Sequence, residues 1–211
     1  MGRAERCVAE DHGTAGGGVD DKKFFTMELI ILYGPPAVGK LTIAEKLAER
    51  TGYKIFQNNP TVHAVVPIFE FGTPEFIRSL ERIRLTLLEE AARSNMGGMI
   101  FTYCYDAKEE DRTIDKMIEA VERAGGAVHL VQLICPESVL FERIDNESRK
   151  AHGKLMDHDR LRAMLERYDL FTPYLLRDSL SIDTSTSGIG QSVSTILSTF
   201  GIKATKPLAE A

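Results

Sequence analysis

Gly34-Pro35-Pro36-Ala37-Val38-Gly39-Lys40-Leu41-Thr42 gathers glycines, a lysine and a hydroxyl into one short stretch, behind the apolar run Leu29-Ile30-Ile31-Leu32-Tyr33 and ahead of an amphipathic helical pattern. That order suits phosphate. Glycines at both ends let the chain wrap so that backbone N–H groups point inward, the helix that follows presents the positive end of its dipole, and Lys40 reaches the terminal phosphates. A nucleoside triphosphate is the ligand this chemistry predicts, with Gly34 to Thr42 as its cradle. The usual pattern places Ser or Thr directly after the lysine to hold Mg²⁺, but here Leu41 takes that place and Thr42 is the nearest hydroxyl. A glycine-rich turn with no ligand is the competing reading, and the succession of strand, loop, lysine and helix argues against it.

Further candidates follow from the elements that must position this loop. Strand-like apolar runs over 29–33, 53–57, 99–103, 128–134 and 180–182 alternate with helical patterns. Such alternation predicts an α/β protein: a five-stranded parallel sheet with helices on both faces, in three layers. The first helix should bury Ile43, Ala44, Leu47 and Ala48 and end at Thr51-Gly52, and Thr73-Pro74 should open a long helix with Phe76, Leu80, Ile83, Leu87 and Ala91 on its apolar face. Asp106 reads as the N-cap of a third helix burying Ile114, Met117, Ile118 and Val121, and Pro136 starts a fourth with Val139, Leu140 and Ile144 inward. Two more helical patterns lie around Leu161 to Tyr168 and Val193 to Phe200. Ligands of open parallel sheets gather at the carboxyl ends of the strands. This selects the phosphate loop, Asn58 to His63, Cys104 to Asp106, and the segment after Ile134 that leads to Arg149.

With 211 residues, 43% of them hydrophobic and 27% charged, the chain suits one globular domain. That domain is expected over 27–202, after a polar, glycine-rich segment 1–26 without apolar period and before an unpatterned, flexible tail 203–211. A net charge of -5 argues against a protein built to grip nucleic acid or an anionic membrane, while leaving room for a local basic groove. No apolar run could span a bilayer, and Glu5, Arg6, Glu10 and Asp11 stand where a secretory signal needs an apolar core, so a cytoplasmic protein is expected. Cys7, Cys104 and Cys135 lack metal-ligand spacing and read as reduced thiols, the latter two as small buried groups.

The Gly-Lys-x-Thr order of Gly39 to Thr42 resembles adenylate kinase and related small-molecule kinases, which carry the hydroxyl two places after the lysine. From Leu29 to about Phe200 the chain looks like a P-loop kinase of the nucleoside monophosphate and shikimate kinase group. Cys135-Pro136-Glu137 on through Arg143 to Arg149 resembles the passage from strand to lid that delivers arginines to the phosphates in that group. Ile182-Asp183-Thr184-Ser185 is similar to its adenine-pocket segment. A closer likeness is to ATP-binding proteins labelled AAA-family or shikimate-kinase-like, which share the Gly-Pro-Pro-Ala-Val-Gly-Lys opening and a segment like Glu166 to Pro173. The resemblance implies the P-loop NTPase fold, a short lid, ATP and Mg²⁺. True shikimate kinases supply acidic residues after the second strand, where this chain has Gln57-Asn58-Asn59-Pro60-Thr61, so shikimate itself is not the expected acceptor.

Phosphoryl transfer needs alignment and charge neutralisation more than covalent help. Lys40 would clamp the terminal phosphates, Thr42 would bind Mg²⁺ directly or through water, and Arg149 and Arg143 would serve the transferring group. The stretch through Lys150, His152, Gly153 and Lys154 reads either as a cover able to close or as a solvated loop. Asn58, Asn59 and Thr61 are the expected acceptor contacts. His63 reads as a ligand or a satisfied histidine; Arg78, Arg82 and Arg84 read as a solvated helix face, from which Arg78 and Arg82 could reach an anionic acceptor. Asp106 is the candidate carboxylate for Mg²⁺ water or an acceptor hydroxyl. The absence of an Asn-Lys-x-Asp run favours ATP over GTP. The expected activity is phosphate transfer from ATP to a small-molecule acceptor; hydrolysis without an acceptor and nucleotide-gated binding of a partner are the alternatives.

Overall fold

Every residue from Leu29 to Leu32 is 0% exposed, as a strand walled in on both faces requires. This is β1 (Glu28–Tyr33), the middle of a five-stranded, all-parallel sheet ordered β2 (Lys54–Gln57), β3 (Gly98–Tyr103), β1, β4 (Ala127–Ile134), β5 (Leu180–Asp183). The computed structural model describes residues 26–108, 112–147, 149 and 154–205. Most of the segment 1–26, the tail beyond Thr205, Cys7, Lys150, His152 and Gly153 lie outside the described residues.

Successive side chains of β1 point to opposite faces and feed two separate cores. Ile30 and Leu32 pack with Ile43 and Leu47 of α1 (Lys40–Thr51), Leu140 of α5 (Glu137–Ile144), Leu161 of α6 (His158–Arg167) and Val193 of α7 (Ile189–Phe200). Leu29, Ile31 and Tyr33 pack with Leu88 of α3 (Pro74–Arg93) and with Met117 and Val121 of α4 (Thr113–Arg123). The three-layer α/β expectation and all five strands are therefore as read from the sequence. Among the described residues, no helix is long and apolar enough to cross a membrane.

Three local expectations differ from the structure. Asn58–Val65 is a helix, α2, where a polar loop was expected. Its Pro60 lies in the first turn, where a backbone N–H would have no partner within the helix, so the proline costs little there. On α3 the buried face runs Phe76, Leu80, Arg84, Leu88 and Ala91, so Leu88 is 0% exposed and the expected Leu87 is 46% exposed. The two four-residue steps from Leu80 to Leu88 meet at an arginine, Arg84, which a search for apolar letters skips. Asp106 does not cap α4, whose N-cap is Arg112. Its Oδ1 instead accepts the backbone N–H groups of Lys108 (3.1 Å) and Asp169 (2.8 Å).

Candidate active site

The loop leaves β1 through Gly34, at φ 141°, where a Cβ would stand 2.2 Å from the carbonyl oxygen of Leu133. Only glycine fits this close approach to β4. Positive φ recurs at Ala37 (67°) and Gly39 (104°) and turns the chain into α1. Lys40, the first residue of α1, folds back over the loop, its Nζ donating to the carbonyls of Gly34 (2.6 Å) and Pro35 (2.7 Å). Burial away from water lowers its pKa to about 8; Cys104 and Cys135 oppose the shift, and the cations Arg149 and Lys154 add to it. Leu41 turns into the protein, 7% exposed, while Thr42 is exposed on the cavity side of the helix.

A cavity of about 830 Å³ runs from this loop, across the carboxyl end of β3, to the space between α2 and α3. Among the described residues, Lys40, Arg84, Arg143, Arg149, Lys154 and Arg167 line it, together with the carboxylate of Asp106. This is a local basic groove within a chain of net charge -5. The structure brings Pro36 to Thr42, Asn58, Asn59, Asp106, Arg143 and Arg149 together on one cavity. Thr61 is not on it: the residue is 6% exposed and its hydroxyl donates to the Asn58 carbonyl at 2.6 Å, inside α2. His63 borders a second, smaller cleft with Asn59, Lys154 and Arg160.

The two arginines that follow β4 are held differently. Arg143 donates through Nη1 to the Thr184 hydroxyl (2.9 Å) and through Nη2 to the Thr184 carbonyl (2.8 Å). The Thr184 hydroxyl in turn donates to the Val38 carbonyl (2.8 Å), so Arg143 braces the phosphate loop through one intermediary. Arg149 donates through Nε and Nη2 to the Leu155 carbonyl, at 3.0 and 2.7 Å, and burial lowers its pKa. Asp106 meets the Glu166 to Pro173 stretch: Ala107 N–H donates to the Asp169 carbonyl (2.8 Å) while Asp169 N–H donates to Asp106. Gln132, 3% exposed in β4, secures the same stretch by donating to the Phe171 carbonyl at 2.7 Å.

Arg84, expected from the sequence on a solvated helix face, lies instead on the cavity. It is 7% exposed, donates through Nε to Asn58 Oδ1 at 3.0 Å, and lies over the Tyr103 ring at 5.3 Å from the centroid. Arg78 and Arg82, the two from which the sequence allowed an acceptor contact, are exposed, and Arg78 pairs with Glu75 of its own helix. The available signal was position: Arg84 occupies a four-residue step of the otherwise apolar series Phe76, Leu80, Leu88.

Comparison with known proteins finds that the AAA domain family model matches residues 30–163. No curated protein sequence matches the chain. Among solved structures, a sugar kinase from Janibacter sp. HTCC2649 is similar at 17% identity, with a TM-score of 0.60 over 84% of this chain and 95% of that one. The tunicamycin resistance protein of Deinococcus radiodurans is similar at 22% identity and a TM-score of 0.56, over 86% of this chain and 99% of that one. The shikimate kinase of Acinetobacter baumannii is similar at 21% identity and a TM-score of 0.54, over 84% and 94%. At these identities the likeness shows a shared fold, that of P-loop small-molecule kinases.

Proposed function

The chain belongs to the AAA domain family, and on that premise we propose that it is an ATP-dependent phosphotransferase that moves the terminal phosphate to a small-molecule acceptor. The observation that carries this reading is one cavity that begins at Lys40, is lined among the described residues by six basic side chains and the Asp106 carboxylate, and continues well past the loop to α2 and α3. A site for hydrolysis alone needs room for a triphosphate and a water; the added half gives an acceptor a place to sit.

In this reading Pro36 to Gly39 cradle the phosphates, and Lys40 exchanges its two carbonyl partners for phosphate oxygens. Among the described residues no cluster of three His, Cys, Asp or Glu side chains could hold a metal unaided. Mg²⁺ would arrive with the nucleotide, and the exposed Thr42 hydroxyl and Asp106 are hard oxygen donors that suit it. When bound, the ion offsets charge on the phosphate oxygens. The acceptor oxygen forms a new bond to the terminal phosphorus as the bond to the bridging oxygen breaks. ADP departs with that electron pair, and the acceptor proton passes to water or to the Asp106 oxygen not committed to backbone N–H groups. Arg143 positions the loop through Thr184, and Asn58 and Asn59 stand on the acceptor side. In solution, wild-type protein should bind ATP and form ADP in step with a phosphorylated acceptor from a metabolite mixture. Lys40→Ala should lose turnover and most triphosphate affinity while still folding and melting cooperatively; unchanged ATP binding and turnover in that variant would overturn the reading.

A further inference from the structure

One wall of the far half of the cavity is apolar and would meet the body of a ligand. Val62, Phe71, Phe76, Ile77 and Leu80, contributed by α2, α3 and the connection between them, form this wall, and Gln57, Asn58 and Asn59 border it. Phe71 packs on Phe76 with ring centroids 4.9 Å apart, yet Phe71 remains 64% exposed and Ile77 41% exposed. Large apolar side chains gathered at the mouth of a cavity mark a surface that a ligand covers. Hydroxyl groups directed at this wall would be left unpaired, which is costly.

At the inner end of the same wall stands Arg84. Its partners among the described residues are neutral, the Asn58 amide oxygen and the Tyr103 ring. A guanidinium buried to this degree carries a desolvation cost that a neutral amide offsets only in part, and an anion in the cavity would complete it. Asn58 fixes the Nε edge, which leaves the Nη edge of the planar group to face a ligand.

We infer that the acceptor is an amphipathic anion: a ring-sized apolar body against Phe71, Phe76 and Ile77, and a carboxylate or phosphate on Arg84. The inference rests on the phosphotransfer reading, because the body then spans from Arg84 toward Lys40 and presents its reacting oxygen to the phosphate loop.

The test is binding, with the phosphate loop first filled by the non-hydrolysable ATP analogue adenylyl imidodiphosphate so that no probe occupies it. Phenyl phosphate and benzoate carry a ring and an anion; glycerol 3-phosphate carries only the anion, and benzyl alcohol only the ring. Phenyl phosphate or benzoate should bind at least tenfold more tightly than both others, and which of the two binds better identifies the anion. Arg84→Gln should reduce that affinity tenfold or more, as should Ile77→Asp, which alters an exposed side chain and spares the core. Glycerol 3-phosphate binding as well as phenyl phosphate would overturn the apolar half, and benzyl alcohol doing so would overturn the anionic half. Absence of binding by any probe to wild-type protein that holds the analogue would overturn the whole. Should Arg84→Gln not fold, the probe ranking and Ile77→Asp still decide. Failure of wild-type protein to bind the analogue would instead overturn the nucleotide reading, and the same probe ranking without analogue would then judge the pocket separately.

Discussion

Lys40 shows at the scale of one residue how a site is maintained against stability. Its pKa falls from 10.5 to about 8 on folding, chiefly because burial disfavours the charged form. The unfolded chain therefore binds more protons between pH 8 and pH 10.5, so this group's cost to stability is full below about pH 8 and fades as pH rises through that window. Lys40→Met removes the charge and keeps the length, so it should raise the unfolding free energy at pH 7 by up to about 3 kcal/mol. The gain should shrink toward pH 10.5, where denaturant titrations of the two proteins should converge; an equal gap at both pH values would refute the account. Lys40 was legible in the sequence because its neighbours in the chain are also its partners in space: Gly34 and Pro35 accept its hydrogen bonds. Arg84 was not, since its partners Asn58 and Tyr103 lie far along the chain and meet it only through the packing of α2, α3 and β3.

Among the elements, the strands were legible and the helix faces only partly so. A strand buried on both faces reads as a continuous apolar run, and Leu29 to Leu32 could hardly be anything else. A helix is read from a stripe, and on α3 the stripe is broken by Arg84, which moved the expected face from Leu88 to Leu87. The short α2 was missed because Asn58-Asn59-Pro60 carries turn-forming residues in what proves to be a first helical turn. The passage from α5 to α6 holds Arg149 by the Leu155 carbonyl, and a neutral acceptor of this kind can be exchanged for phosphate oxygens at little cost. Arg149→Ala should thus lower turnover about a hundredfold or more, roughly 3 kcal/mol in the transition state, with nucleotide affinity changed far less. Arg149→Lys should recover little, because a point charge lacks the planar two-pronged contact. Steady-state ADP formation beside an ATP-binding titration separates these outcomes, and near-normal turnover in Arg149→Ala would remove the arginine from the mechanism.

Considered as a whole molecule, the fold closes around its first strand. Met27 is 1% exposed and its carbonyl accepts the N–H of Ala127, so the core takes in the chain from this residue onward. Protein begun at Met27 should match the full chain in melting temperature and ATP affinity, whereas a start after Leu29 should fail to melt cooperatively; calorimetry of the three decides it. The sheet order places β1 between β3 and β4, so Leu29 pairs with Met99 on one side and Val128 on the other. Pairings that distant in sequence are slow to form, since a long loop must close before any contact rewards it. For a chain emerging from the ribosome, the phosphate loop is made early and completed late. Gly34 reaches its seat against Leu133 only once β4 has been synthesised, and nucleotide can steady the nascent protein only after that point.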